Sequence, residues 1–137
     1  MTRVLLDINV VLDVLANRMP FVDEAEAILR QVEARAMEGL VAAHTITTLH
    51  FLLARNLGKA KARKVLTDLL HVVRVVPVDE DRIRHALALN WTDFEDAVQA
   101  ACAEKAEADY LVTRDKKGFK KSPVKVVTPA ELLALVS

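Results

Sequence analysis

The chain has 137 residues with 19 basic and 19 acidic side chains and a pI near 6.9, which excludes histone-like binding by bulk charge while leaving room for a local basic patch. Apolar residues make up 53% of it, too many for a disordered chain and enough for one domain, residues 1–137, with a self-sufficient core. A lone cysteine, Cys102, excludes an internal disulfide framework or a cysteine-built zinc site, and no apolar run approaches the ~20 residues of a membrane span.

In chain order, Val4–Ile8 is a short apolar run ending beside an acid and reads as a buried strand. The start, Met1 into Val4-Leu5-Leu6-Asp7, carries no small-residue cleavage site, and the expectation is a cytoplasmic domain. Val10–Asn17 reads as a helix that stops before Met19-Pro20. Ala25, Ile28, Leu29, Val32 and Ala36 recur at helical spacing, with Gly39 placed to end that helix. A second strand is expected over Leu40–Ala43 and a helix over Thr45–Arg55. Gly58 then separates it from a helix carrying Val65, Leu66, Leu69 and Leu70.

Val72–Val78 is expected as strand three, with Pro77 ending its regular pairing. Asp79 to about Asn90 is expected as a helix, and Thr92-Asp93-Phe94-Glu95-Asp96 is an acidic start for the next. Tyr110–Thr113 and Val124–Val127 supply strands four and five. Thr128-Pro129-Ala130-Glu131 then combines a capping Thr, a Pro at the first helical position and a Glu two residues later. Short β-branched strands alternating with helices indicate an α/β sandwich around a largely parallel sheet, whose sites lie at the carboxyl ends of the strands.

Asp7 lies near the end of the first strand and Asp115 just past the fourth, while Asp93 and Asp96 begin the helix between them. If strands one and four are neighbours, the four carboxylates converge. Clustered carboxylates raise one another's pKa unless a cation separates them, and oxygen-only ligands suit Mg²⁺ or Mn²⁺. Such an ion can activate a water and stabilise charge developing on a phosphate. Each acid also has a local reading: Asp7 and Asp93 as helix caps, Asp96 favoured by the helix dipole, Asp115 as a turn residue. Asn9 can orient a carboxylate or a metal-bound water, or cap a helix, and Thr113 can support Asp115.

The blocks Leu5-Leu6-Asp7-Ile8-Asn9-Val10-Val11-Leu12-Asp13, Asp93-Phe94-Glu95-Asp96-Ala97 and Ala108-Asp109-Tyr110-Leu111-Val112-Thr113-Arg114-Asp115 through Phe119 resemble the three signature blocks of PIN domains, most closely the small bacterial VapC-type ribonuclease toxins. The resemblance covers essentially the whole chain. It implies a three-layer α/β sandwich with a five-stranded parallel sheet of order 3-2-1-4-5. It also implies Mg²⁺- or Mn²⁺-dependent endoribonuclease activity toward single-stranded or looped RNA, by a homodimer restrained by a small antitoxin. Asp7, Asp96 and Asp115 match metal-binding catalytic acids, and Asp93 an additional acid found in one subgroup. The family often carries a Glu in the helix after strand two. Here Thr45–Leu53 contains no acid, and His50 is a candidate stand-in or an ordinary helix histidine.

Arg114, Lys116, Lys117, Lys120, Lys121 and Lys125 adjoin the expected metal site, and Arg114, Lys116, Lys117 and Lys120 are expected to contact RNA phosphates. A second basic cluster, Arg55, Lys59, Lys61, Arg63 and Lys64, reads as a solvated helix surface. One Trp, one Tyr and four Phe speak against a protein that reads single strands by stacking bases on aromatic platforms. His44, His71 and His85 show no metal-ligand spacing.

Three other readings compete. Asp7-Ile8-Asn9 shares part of the Asp-x-Asp pattern of haloacid-dehalogenase-type phosphatases, but Asn9 cannot serve as a general acid there. A catalytically degenerate PIN domain acting as a binding or regulatory module accounts for the missing Glu. A PIN nuclease working in RNA processing rather than as a toxin is the third.

Overall fold

The computed structural model describes residues 1–136. Five strands form one parallel sheet: β1 (Arg3–Leu6), β2 (Glu38–Ala42), β3 (Arg74–Val76), β4 (Tyr110–Val112) and β5 (Val126–Val127), in the order β3-β2-β1-β4-β5. Every pairing is parallel, as the connecting helices require. The central strand β1 aligns Leu5 with Leu40 on one side and with Leu111 on the other. Val4, Leu5 and Leu6 are wholly buried, because both faces of this strand are covered.

The period-two alternation of β1 divides the core. Val4 and Leu6 face α1 (Ile8–Leu15), α2 (Val22–Glu33), α3 (Ala43–Leu57), α4 (Lys59–Leu69) and α7 (Pro129–Val136), joining Val11, Ile28, Leu49, Leu66 and Leu132. Leu5 points the other way, joining Leu40, Leu111 and the alanine-rich α6 (Phe94–Lys105), with α5 (Glu80–Leu89) outside it. Seven consecutive residues of α6, Ala97–Ala103, are buried. Their small side chains let this helix sit against β1 and β4 on one side and α5 on the other. The expected layers and strand order are those observed.

Several boundaries differ from the sequence reading. The first strand stops at Leu6, because Asp7 already caps α1 and Ile8 is helical. Gly39 lies inside β2 rather than at a helix end. A Cβ there would meet Val32 Cγ1 at 2.8 Å, so the bare glycine lets α2 pack onto the sheet. Helix α2 is terminated instead by Arg35, which takes the left-handed conformation (φ 62°). Only Arg74–Val76 of the expected third strand pairs, since Val72 and Val73 complete the turn after α4. The strand-five expectation shortens to Val126–Val127, preceded by a 3₁₀ turn over Lys116–Phe119. The start of α7 is as expected: Thr128 N donates to Glu131 Oε1 at 2.8 Å and Glu131 N to Thr128 Oγ1 at 3.2 Å. Among the described residues, no helix is long and apolar enough to cross a membrane.

Candidate active site

Because β1 and β4 are adjacent and in register, Leu6 lies beside Val112 and the chain continues past both strands at the same edge. Asp7 N donates to the Val112 carbonyl at 2.9 Å, holding Asp7 next to Thr113. The Asp7 carboxylate is buried and takes only neutral donors. Oδ1 accepts from Ile8 N and from Gln99 Nε2, both at 2.8 Å, and Oδ2 accepts from the Thr113 hydroxyl at 2.8 Å. The same hydroxyl accepts from Asp115 N at 3.1 Å. Thr113 therefore ties the two strand-end acids together. It reaches Asp115 through the backbone rather than the carboxylate.

On the opposite side, Asp93 caps α6, its Oδ1 accepting from Asp96 N at 3.0 Å. Asp96 is half-buried one turn into that helix, and its carboxyl is pushed up to about 7. Burial is the main cause, followed by the negative charges of Asp93, Asp7, Asp115 and Glu95. Gly118 lies against it, close enough that a Cβ would stand 2.8 Å from Asp96 Oδ2. Asp115 is exposed, with Oδ1 accepting from Lys117 N at 3.2 Å. The four acids named from the sequence thus share one neighbourhood, and no arginine or lysine side chain pairs with any of them among the described residues. An all-oxygen donor set without a countercharge suits a hard divalent cation. Among the described residues, no group of three or more His, Cys, Asp or Glu closes around a single point by itself.

Three residues at or beside this site escape a sequence reading. Gln99, buried on α6 one turn beyond Asp96, orients Asp7 while its own Oε1 finds no partner. A single amide within Ala97-Val98-Gln99-Ala100-Ala101 was its only signal. His44 opens α3 directly after β2, and its imidazole lies near Glu95 and Asp7. Burial lowers its pKa while those two acids oppose the shift, and its Nδ1 is buried without a partner. His44 thus lies near the acids, in the first turn of α3, although its spacing to other residues gave no hint of it.

The third is Asp13, the one acid of α1 and buried within it. Arg114 binds it with Nε at 2.8 Å and Nη2 at 3.2 Å, and Arg18 Nε approaches at 3.1 Å. Arg18 also donates to Asn9 Oδ1 at 3.2 Å, so Asn9 faces this network and not an acid of the site. The Arg114 guanidinium lies 3.8 Å from the Phe21 ring centroid. Lys116 pairs with Glu131 at 2.9 Å. Of the four basic residues expected to meet phosphate, Arg114 and Lys116 are therefore engaged within the protein. Lys117 and Lys120 stay exposed beside a cleft next to the acids.

The sequence profile of a family described as "PIN domain" matches residues 3–117. No curated protein matches the chain in sequence. Among solved structures, FitAcB from Neisseria gonorrhoeae is similar at 25% identity, covering 93% of this chain and 98% of that one with a TM-score of 0.67. DNA-bound VapBC from Salmonella typhimurium gives a TM-score of 0.75 at 14% identity, over 94% and 99% of the two chains. Mycobacterium tuberculosis VapC20, described as a sarcin-ricin loop cleaving toxin, gives 0.68 at 18% identity, over 85% and 93%. At 14% and 18% identity the likeness is one of fold.

Proposed function

The chain belongs to the PIN-domain family, and from that premise we propose that it is a Mg²⁺- or Mn²⁺-dependent endoribonuclease, the toxin of a toxin–antitoxin pair. The observation that carries this reading is the uncompensated charge at the sheet edge. Asp96 is raised to about 7 by burial and by Asp93, Asp7, Asp115 and Glu95. Such a cluster is costly in the free protein and is relieved by a cation. Asp7, Asp96 and Asp115 would hold the ion, with Asp93 beside them. When bound, a divalent ion lowers the pKa of a water and stabilises negative charge on a phosphate.

The chain's own groups prepare that site. Gln99 and Thr113 fix the Asp7 carboxylate by donating to both of its oxygens, so Asp7 reaches the ion already oriented. Thr113 restrains the Asp115 backbone at the same time. Lys117 and Lys120, exposed at the rim, draw the phosphate chain toward the acids. Support for the toxin reading and for an RNA substrate comes from VapC20, described as a sarcin-ricin loop cleaving toxin, and a small antitoxin and a homodimer are proposed from the family resemblance. The acid-free α3 favours the second reading, a degenerate PIN module that binds without cutting.

The test is Mn²⁺-dependent cleavage of a mixed pool of structured RNAs by the full chain, beside Asp7→Asn and an EDTA control. Asn keeps a cap oxygen for Ile8 N, so the variant is expected to fold with a native circular dichroism spectrum and to cut no more than the EDTA control. Full activity in Asp7→Asn rejects the assignment. Mn²⁺ binding without any cleavage by the folded wild type selects the binding module.

A further inference from the structure

The cleft beside the acids has features that metal-site chemistry does not require. It encloses about 300 Å³ between the α5–α6 connection and the 3₁₀ turn, with Asn90 and Trp91 on one wall and Lys117, Lys120 and Lys121 on the other. That volume is at the small end of ligand sites, about 300–1,000 Å³, and suits one monomer unit rather than a helix or a peptide. Two residues join the cleft to the acids. Asp93 lines it while accepting from Asp96 N, and Gly118 lines it while abutting Asp96 Oδ2.

Trp91 is the only tryptophan in the chain. It is half-buried, and its indole meets the buried Phe119 ring edge-to-face, with centroids 6.0 Å apart at 81°. That contact restrains an aromatic side chain lining a cleft of mixed polar and apolar surface, so less rotamer freedom is lost on stacking. Among the described residues, Lys117, Lys120 and Lys121 form no ion pair, whereas Lys116 and Arg114 are bound to Glu131 and Asp13. An indole and three ammonium groups without ion-pair partners, lining one cleft, are the chemistry that recognises a base and its phosphate together.

We propose that this cleft binds one nucleotide of single-stranded RNA next to the scissile phosphate, the base on Trp91 and the flanking phosphates on Lys117, Lys120 and Lys121. The proposal rests on the ribonuclease reading for its substrate. It adds where the strand lies and how a chain with so few aromatic residues holds an unpaired base.

As the sole tryptophan, Trp91 reports on its own occupancy. The full chain in EDTA, where no cutting occurs, is titrated with a short mixed-sequence single-stranded RNA, and Trp emission is followed beside the anisotropy of a labelled copy. Saturable quenching that tracks the anisotropy is expected, and Lys117→Ala/Lys120→Ala/Lys121→Ala is expected to weaken binding about tenfold or more. The matched triple Lys59→Ala/Lys61→Ala/Arg63→Ala, on the exposed side of α4, serves as the control for charge alone. Binding seen by anisotropy with unchanged Trp emission overturns the proposal, as does equal weakening by both triples. Full quenching by inorganic phosphate alone reduces the site to an anion pocket and overturns it too. In the Mn²⁺ cleavage assay, Trp91→Leu is expected to raise KM by about tenfold, more than it lowers kcat. Cleavage with an unaltered KM in Trp91→Leu rejects the subsite alone, whereas no cleavage by the wild type rejects the nuclease and leaves the EDTA titration to judge the cleft.

Discussion

Asp13 and Asp96 are both drawn out of water, and the fold treats them in opposite ways. Asp13, almost fully buried on α1, is met by Arg114 at 2.8 Å and Arg18 at 3.1 Å, and Arg114 is itself braced on Phe21. Asp96, half-buried on α6, has Asp93, Asp7, Asp115 and Glu95 for charged neighbours, and its carboxyl is held near 7. A paired charge joins two distant parts of the chain. An unpaired one, on the proposed function, would be relieved by a divalent cation that the protein does not itself supply. The two sites also divide the polar residues that follow β1, since Asp7 serves the open site while Asn9 and Asp13 serve the closed one.

The largest effect is expected at Asp13. Asp13→Ala leaves two arginines without their shared carboxylate and is expected to cost about 3 kcal/mol, the lower end for a broken buried pair because both guanidiniums remain partly exposed. Thermal melts should then show a Tm roughly 10 °C lower. A shift of only a degree or two would mean that the network contributes little.

Gln99→Leu probes the open site from behind. It removes a donor to Asp7 and also a buried Oε1 that lacks a partner, so stability is expected to change little. Mn²⁺ affinity, by calorimetry, is expected to fall about 10- to 100-fold, the usual effect of losing a group that orients a metal ligand. Unaltered affinity in a folded variant would show that Thr113 and the Ile8 amide suffice.

The smallest effect is a pH slope. The Asp96 carboxyl lies near 7 in the folded chain against 3.8 when free, so between about pH 4 and pH 7 the folded state holds a proton that the unfolded state has lost. Its contribution to stability is present at low pH and disappears as pH rises through 7. After discounting for solvent screening of a half-exposed group, about 1 kcal/mol remains. The metal-free protein should therefore unfold at lower urea at pH 8 than at pH 5, with Asp96→Asn flattening the difference and Mg²⁺ raising the midpoint at pH 8. A wild-type slope matched by Asp96→Asn would place its origin elsewhere.

Local pattern carried much of this molecule. The apolar run before Asp7, the acidic helix start at Asp93 and the apolar pair before Thr113 are each legible within a few residues. Once parallel strands and helical crossovers are inferred, the acids must come out at the carboxyl edge. Details set by packing were less legible. Gly39 looked like a helix stop because glycine commonly ends helices, yet what it answers is the Val32 side chain above the sheet. Arg35, with no local feature marking it, makes the left-handed turn instead.

From the sequence alone came the fold class, the strand order carried by the family resemblance, and the meeting of Asp7, Asp93, Asp96 and Asp115. Strand and helix signals repeat over short spans and survive without knowledge of neighbours. Only the tertiary structure decided which cations are spent and which remain. Arg114 is taken by Asp13, 101 residues away, and Lys116 by Glu131, while Lys117, Lys120 and Lys121 line the cleft with Trp91. It likewise decided that Gln99 and His44 lie beside Asp7. A side chain's partner depends on distance and orientation after folding, and neither periodicity nor composition encodes a pairing between positions so far apart in the chain.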